Sequence, residues 1–259
     1  PLLTAGTLAD FGALCLNTDG GPFSFTVDGT NLTADPVTVA ALDGFSYSTS
    51  EGGTYTSSLS IAQPGGTFSQ DVWVKLTPVA VQSYDGNMTV GGGGASDVAV
   101  AATGSGINTP PTMTSGSATG IGMDQAEVGG VIVDQGCSAL TDYGIEYSTS
   151  AGFTPGSGTQ VPSTNAAGGT YSSQIGGLSS CTTYYFRAYG LNAGGVSYGA
   201  QASFETAPIG APVATAPSVI DMSDFTATWN SVTGASGYRL DVSTNPAFGT
   251  VVTASDLFF

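Results

Sequence analysis

Apolar and polar positions alternate along most of the chain with a period of two, in short runs that end at Gly, Asn, Asp or Pro. Within one run, Val72, Val74 and Leu76 fall on one face, and Trp73 and Lys75 fall on the other. Such runs predict half-buried strands separated by turns. In the first hundred residues they lie at 23–27, 37–39, 45–47, 72–76, 84–90 and 97–101. Because no segment there has helical periodicity, the pattern predicts an all-β fold.

One strand signature occurs three times. FSYSTS begins at Phe45, IEYSTS begins 100 positions later at Ile145, and LDVST begins a further 95 positions on, at Leu240. A repeat of about 100 residues has the size of an immunoglobulin-like or fibronectin type III sandwich. The proline-containing stretches 108–112 and 208–217 separate the repeats as linkers. We therefore predict three modules, at residues 1–107, 108–207 and 208–259.

The third predicted module contains only the first strands of a sandwich. A half-sandwich leaves its apolar face open to water and is not expected to be stable alone. Either the module continues in a longer protein, or another chain supplies the remaining strands by strand addition.

Longer stretches of sequence resemble known modules. In the first repeat, VWVKLTP, YDGNMTV and VAVAATGSG resemble the immunoglobulin-like modules of large secreted bacterial proteins. In the second and third, YGIEYSTSAGF, GGLSSCTTYYFRAYGLNAGG and FTATWNSVTGASGYRLDVST resemble the fibronectin-like arrays of Bacteroidota surface and secreted proteins. The resemblance implies stalk or adhesive segments that are exported by the type IX system.

The resemblance also implies roles for three residues. Leu178 would close one strand, Tyr184 would be the tyrosine-corner residue whose hydroxyl returns to upstream backbone, and Trp229 would be a core tryptophan. The sequence departs from the family pattern at Ser180, where a proline is usual, which weakens the expected turn slightly.

The charge balance limits the partners. Three basic residues stand against 19 acidic ones, which gives a net charge of −16, and only 8% of residues are charged. Nucleic acid and anionic membrane surfaces attract clustered Lys and Arg, so neither is an expected partner. No apolar run of about 20 residues is present, so membrane insertion is not expected either.

Candidate catalytic chemistry is sparse. The chain has no histidine, which removes His-based triads and His metal ligands. A serine with Lys75 or a pair of carboxylates could still act as catalysts. However, Lys75 is placed on a solvated strand face, and several acidic residues precede Gly in turns, namely Asp19, Asp28, Asp43 and Asp85. We therefore expect no enzymatic activity.

No cofactor is expected, and calcium is the one metal to consider. The acidic pairs Asp221 with Asp224 and Asp124 with Glu127 stand near module entrances, where a site at an inter-module joint could form. The alternative is that both pairs are solvated turn residues, since no EF-hand loop is present.

Cys137 and Cys181 share the second module and are the candidate pair for a disulfide. Their predicted positions, between strands B and C and between strands E and F, lie at opposite ends of a sandwich, which argues against the bond. Cys15 has no partner in its own module and is expected to pack as a small apolar residue.

These features predict a non-enzymatic stalk or adhesive segment of an extracellular or cell-surface protein. Its expected partners are other modules of the same chain, other proteins or surface glycans, export machinery, and neighbouring subunits joined by strand addition. The alternative is a carbohydrate-binding or spacer region of a secreted hydrolase. That alternative needs a platform of exposed aromatics, for which Trp73, Tyr185 and Tyr198 are the candidates.

Overall fold

The computed structural model describes residues 1–220, 225–249, 251 and 253–258. These residues form 22 strands and no helix, so the all-β prediction is confirmed. Strand pairing is confined to three consecutive stretches of sequence, which contain β1–β10, β11–β18 and β19–β22 respectively. The strands therefore follow the internal repeat.

The first stretch forms a β-sandwich. Its strands are β1 (Leu2–Ala5), β2 (Ala13–Cys15), β3 (Gly20–Leu32), β4 (Val37–Val39), β5 (Phe45–Ser48), β6 (Leu59–Ile61), β7 (Gly66–Leu76), β8 (Gly86–Gly92), β9 (Ala95–Ala102) and β10 (Ser105–Ile107). Two antiparallel four-stranded sheets have the orders β1-β3-β7-β5 and β6-β4-β8-β9. A short parallel pair joins β2 to β10, with Cys15 opposite Ile107.

The core of this sandwich follows from the alternation in the sequence. Val72, Val74 and Leu76 on β7 are fully buried, whereas Trp73 and Lys75 between them are half-buried on the opposite face. Apolar side chains from both sheets complete the cluster, including Phe25, Val27, Val37, Val39, Tyr47, Met88, Val90 and Val100. The turn between β8 and β9 requires glycine, because Gly93 and Gly94 both have positive φ angles, of 58° and 73°.

The second stretch forms a second sandwich. Its strands are β11 (Thr112–Thr119), β12 (Gln125–Asp134), β13 (Asp142–Ser148), β14 (Thr159–Pro162), β15 (Thr170–Gly176), β16 (Thr183–Asn192), β17 (Gly195–Tyr198) and β18 (Ala202–Glu205). A three-stranded sheet has the order β11-β12-β15. A five-stranded sheet has the order β14-β13-β16-β17, and β18 also pairs with β16. This division into a smaller and a larger sheet is that of an immunoglobulin-like or fibronectin type III sandwich.

The third stretch forms two separate two-stranded ladders. Its strands are β19 (Ala214–Ile220), β20 (Phe225–Trp229), β21 (Gly237–Val242) and β22 (Thr253–Phe258). Strand β19 pairs with β20, and β21 pairs with β22, both antiparallel.

The chain divides into two compact units. Unit 1 comprises Pro1–Thr112, Ile132–Asp142 and Gly190–Ser197, and unit 2 comprises Met113–Val131, Tyr143–Tyr189 and Tyr198–Phe259. Unit 1 thus contains the first sandwich, the linker that follows it, and two turns that belong to the second repeat in sequence. The predicted module boundaries at 107/108 and 207/208 stay a prediction.

Candidate functional site

Unit 1 contains a disulfide bond between Cys15 and Cys137, which are 122 residues apart in sequence. The sulfur–sulfur distance is 2.13 Å, and the Cα–Cα distance of 5.2 Å lies within the normal range for such bonds. The expectation that Cys15 packs as an unpaired apolar residue is therefore wrong. Its strand, β2, pairs with β10, which ends just before the linker, and this pairing brings Cys15 to the linker and the turn that holds Cys137.

The candidate pairing of Cys137 with Cys181 is also wrong. Cys181 is a free, exposed cysteine with a positive φ of 49°, and its N–H donates to Ala207 O at 3.4 Å. Cys137 belongs to unit 1 and Cys181 to unit 2. The physical reason for the error is the assumption that cysteines pair only within a repeat.

The linker that begins at Asn108 is fastened by hydrogen bonds within unit 1. Thr109 O accepts from the Cys137 N–H at 3.2 Å and from Asn192 Nδ2 at 3.0 Å. The Thr109 hydroxyl contacts Cys137 Sγ at 3.3 Å. Asn192 Nδ2 also donates to Gln135 O at 2.7 Å, so one buried amide connects the linker with the turn that carries Cys137. A linker held in this way is a part of unit 1 rather than a free tether.

Glycine is required where these turns approach the linker. Gly136 has a φ of 72°, and a Cβ atom there would lie 2.3 Å from Thr109 O. At Gly194 a Cβ atom would lie 2.5 Å from the same oxygen. Both distances are far below van der Waals contact, so a side chain at either position would separate the turn from the linker.

Glu146 is the most deeply buried acidic side chain among the described residues. It lies on β13 in unit 2 with no exposed surface. One carboxyl oxygen accepts from the Gly156 N–H at 2.9 Å, and the other accepts from the Gly158 N–H at 2.5 Å. Glu146 therefore anchors the loop between β13 and β14 to the sheet.

The same loop covers a small cluster of side chains on unit 2. Phe153 in the loop is buried, and the Arg187 guanidinium lies 5.7 Å from the centre of its ring. The Tyr198 ring lies 6.3 Å from the Tyr189 ring. Partial burial and then the negative charge of Glu146 raise the pKa of the Tyr198 hydroxyl. This cluster was not predicted, because the fold-back of the loop has no signature in the sequence pattern.

Two tyrosine hydroxyls close equivalent turns in the two sandwiches. The Tyr184 hydroxyl accepts from the Ser179 N–H at 2.9 Å, and Leu178 beside it is buried. The Tyr84 hydroxyl accepts from the N–H groups of Val79 and Ala80 at 2.9 and 3.0 Å. Tyr84 precedes Tyr184 by 100 positions, the same offset as between the first two strand signatures, and that offset could have identified Tyr84.

Replacement of Tyr84 by phenylalanine is expected to lower the free energy of unfolding by roughly 1–3 kcal/mol, because two backbone N–H groups lose their acceptor. Urea denaturation of the purified chain measures this loss. Tyr55→Phe is the matched control, since the Tyr55 hydroxyl donates to Glu51 O at the surface, and it should change the value by under about 0.5 kcal/mol. Equal effects of the two variants would contradict the proposed role of Tyr84.

The predicted surface aromatics do not form one platform within either unit. Trp73 lies in unit 1, on β7 opposite Ser24 of β3 and Ser48 of β5. Tyr185 and Tyr198 lie in unit 2, on β16 and β17, and both are half-buried. Trp229 is half-buried on β20, with its ring 5.7 Å from that of Tyr238.

A hydroxyl-lined groove is present in unit 2. The Tyr147 and Tyr184 rings pack edge to face there, at 6.0 Å. The groove is lined by these two rings together with Ser148, Thr149, Ser157, Gly158 and Thr159.

Among the described residues, Asp10 and Asp19 have lowered pKa values, which favours the ionised form of both. Hydrogen bonds from the Gly12 N–H and the Thr103 hydroxyl lower the pKa of Asp10. A hydrogen bond from the Thr77 hydroxyl, with a smaller contribution from Lys75, lowers the pKa of Asp19. A general acid at neutral pH needs a raised pKa, so neither aspartate suits that role.

Lys75 is engaged in two contacts. Its Nζ lies 3.4 Å from the Asp19 carboxylate and 4.6 Å from the centre of the Tyr55 ring. Its partners are thus a carboxylate and the face of an aromatic ring, the two kinds of group that cationic side chains commonly contact on protein surfaces. In the cores, burial raises the pKa of Tyr47 to about 12 and also raises the pKa of Tyr171.

The acidic pairs considered for calcium have different outcomes. Asp221 and Asp224 lie outside the described residues. Asp124 is exposed, and Glu127 accepts a hydrogen bond from the Ser172 hydroxyl at 2.6 Å. The described residues contain no group of three or more Asp, Glu or Cys side chains that could hold a metal ion. None of the described segments forms a helix that could span a membrane.

Comparisons with known proteins give structural neighbours only. No protein-family model and no curated protein matches the sequence. A solved structure of the chicken CNTN1 FN1–FN3 domains is similar to 78% of this chain, over 66% of its own length, with 12% identity and a TM-score of 0.32. The sixth fibronectin type III domain of human fibronectin type III domain containing protein 3 is similar to 41% of this chain, over 89% of its own length, with 24% identity and a TM-score of 0.28.

Proposed function

We propose that this chain is a non-enzymatic structural segment, a stalk or spacer within a longer extracellular or cell-surface protein. The observation that carries the proposal is the fastened linker of unit 1, where a disulfide and the Asn192 amide hold the chain at the end of the first sandwich. A stalk or spacer holds other parts of a protein at a distance, so it needs a linker that is fixed to its module. It does not need a binding cleft. Disulfides persist in oxidising compartments, which supports an extracellular location.

The hydrogen bonds of the acidic side chains support the same proposal. Asp10, Asp19, Asp85 and Glu146 each accept hydrogen bonds from backbone or hydroxyl groups, so these carboxylates stabilise turns and loops. The net charge of −16 gives neighbouring chains a mutual repulsion that keeps a displayed segment from associating with itself.

The finer assignment follows from the sequence resemblance alone. We propose that the parent protein is an adhesin or filament protein of Bacteroidota, exported by the type IX system. Its partners would then be further modules of the same chain, and proteins or glycans of a surface.

The second candidate function is carbohydrate binding within a secreted hydrolase. The groove with Tyr147 and Tyr184 favours it, because aromatic rings beside hydroxyl groups suit the apolar and polar faces of a sugar. A sugar bound in this groove would contact unit 2, whereas Trp73 belongs to unit 1.

A glycan array tests the two candidates against each other. We expect no saturable binding by the purified chain. Saturable binding that Trp73→Ala, Tyr185→Ala or Tyr147→Ala abolishes would overturn the spacer proposal. Val79→Ala removes an exposed apolar side chain of unit 1 and is the control that should retain any binding.

A further inference from the structure

The disulfide changes the path that tension takes along the chain. Force applied to the two ends of a protein is carried by covalent bonds, and a cross-link carries it directly between the residues that it joins. Here tension that enters at Pro1 reaches Cys15, crosses the sulfur–sulfur bond and continues from Cys137. The residues between the two cysteines form a closed loop outside this path.

The closed loop contains nearly all of the first sandwich. Strands β3 to β11 lie wholly inside it, and β12 lies inside it as well, because that strand ends at Asp134. Only β1 and β2 of the first sandwich precede Cys15 and remain in the path. The first sandwich can therefore lose its structure under load, but the chain between Cys15 and Cys137 cannot extend while the bond is intact.

We propose that the Cys15–Cys137 bond is a force shunt: it carries tension directly between the two cysteines and prevents the chain between them from extending. Reduction of the bond would release this hidden length. The hidden length is set by the 122-residue separation of the cysteines. At roughly 3.3–3.6 Å per extended residue, it is about 400–440 Å. The idea that a cell tethered by this protein gains reach when the bond is reduced rests on the proposed stalk function. The amount of chain that the bond encloses does not depend on that function.

The surroundings of the bond fit this role. The Cys137 N–H and its sulfur both contact Thr109, and Cys15 lies opposite Ile107 in the parallel pair of β2 and β10. The contacts on the linker thus place the two cysteines together when unit 1 folds. The bond then forms at the place where the linker leaves the sandwich, so nearly all strands of the first sandwich lie within the closed loop.

Release of the stored length requires a two-electron reduction. A thiolate of a dithiol attacks one sulfur of the bond, and the other sulfur leaves as a thiolate that takes up a proton. The second sulfur of the reductant, as a thiolate, then attacks the reductant's own sulfur in the mixed disulfide, and the remaining cysteine sulfur leaves as a thiolate that also takes up a proton. Cys15 and Cys137 end as thiols, and the dithiol ends as its own cyclic disulfide.

Single-molecule pulling tests the proposal. The native chain is held by non-thiol tags at its two ends, under a force that unfolds both sandwiches, and dithiothreitol is then added. We expect one further lengthening step that approaches 400 Å. Cys181→Ser should give the same step, whereas the double variant Cys15→Ser, Cys137→Ser should reach full length without reductant and show no step. The measured length does not depend on how well the variants fold, because both sandwiches are already unfolded by the applied force.

Two results would overturn the proposal. A native chain as long as the double-serine chain before reduction would mean that no shunt is present. A step near 150 Å would correspond to the roughly 44 residues between Cys137 and Cys181, and would show that those two cysteines are the bonded pair. The stalk function stands apart from both results, because the glycan array tests it independently.

Discussion

Replacement of both Cys15 and Cys137 by serine is expected to lower the free energy of unfolding of unit 1 by about 2–5 kcal/mol. The bond closes a loop of 122 residues, and a loop of about 100 residues corresponds to roughly 4.7 kcal/mol in the chain-entropy model. The main effect is on the unfolded chain, which gains conformational freedom when the cross-link is absent. Denaturant unfolding followed by far-ultraviolet circular dichroism measures the loss.

Reductant provides the matched control for this prediction. Both experiments use a Cys181→Ser background, which removes the free exposed thiol and with it disulfide exchange. Added dithiothreitol should destabilise the parent chain by the same amount as the double substitution, and it should leave the double-serine chain unchanged. An unfolding midpoint that neither change moves would show that the bond contributes nothing to stability.

The strands could be predicted from sequence because their signal is local. Alternation from Val72 to Leu76 is sufficient to place three side chains in the core and two on the opposite face, and the structure has that arrangement. The offset of 100 residues between repeats is likewise a property of the sequence alone. The alternation and the repeat offset can both be read from the sequence without knowing which residues are in contact in the folded protein.

The disulfide could not be predicted because its partners meet through long-range pairing. Cys15 reaches the linker only because β2 pairs with β10, which is about 90 residues away in sequence. Cys137 reaches the same place because Gly136 and Asn192 bring their turns against Thr109. A search that pairs cysteines only within a repeat cannot find this bond.

Asn192 and Glu146 were missed for a related reason. Asn192 lies in the stretch Leu191-Asn-Ala-Gly-Gly195, whose composition is typical of a solvated turn, but its amide is buried against the linker. Glu146 alternates with the buried Ile145, so the pattern places it on a solvated face. The first repeat has Ser46 at the equivalent position, so the repeat carries no signal for a buried carboxylate there.

The second large effect is expected at Glu146. Glu146→Ala should destabilise unit 2 by roughly 2–6 kcal/mol, because the N–H groups of Gly156 and Gly158 each lose a buried acceptor at a cost of about 1–3 kcal/mol. Glu146→Gln keeps one carbonyl oxygen but turns an amide NH₂ toward the other donor, so its loss should be intermediate. Denaturant unfolding measures both variants.

Limited proteolysis separates a local role of Glu146 from a general loss of stability. If the carboxylate anchors the loop between β13 and β14, Glu146→Ala should expose residues 149–158 to cleavage under native conditions, before the sandwich itself unfolds. Glu127→Gln is the matched control, because Glu127 accepts one hydrogen bond from Ser172 on an exposed face and its substitution should cost under about 1 kcal/mol. A loop that stays resistant in Glu146→Ala, together with a loss no larger than that of Glu127→Gln, would mean that the loop is held without Glu146, by contacts such as the burial of Phe153 and the hydrogen bond from the Gly152 N–H to Gln201.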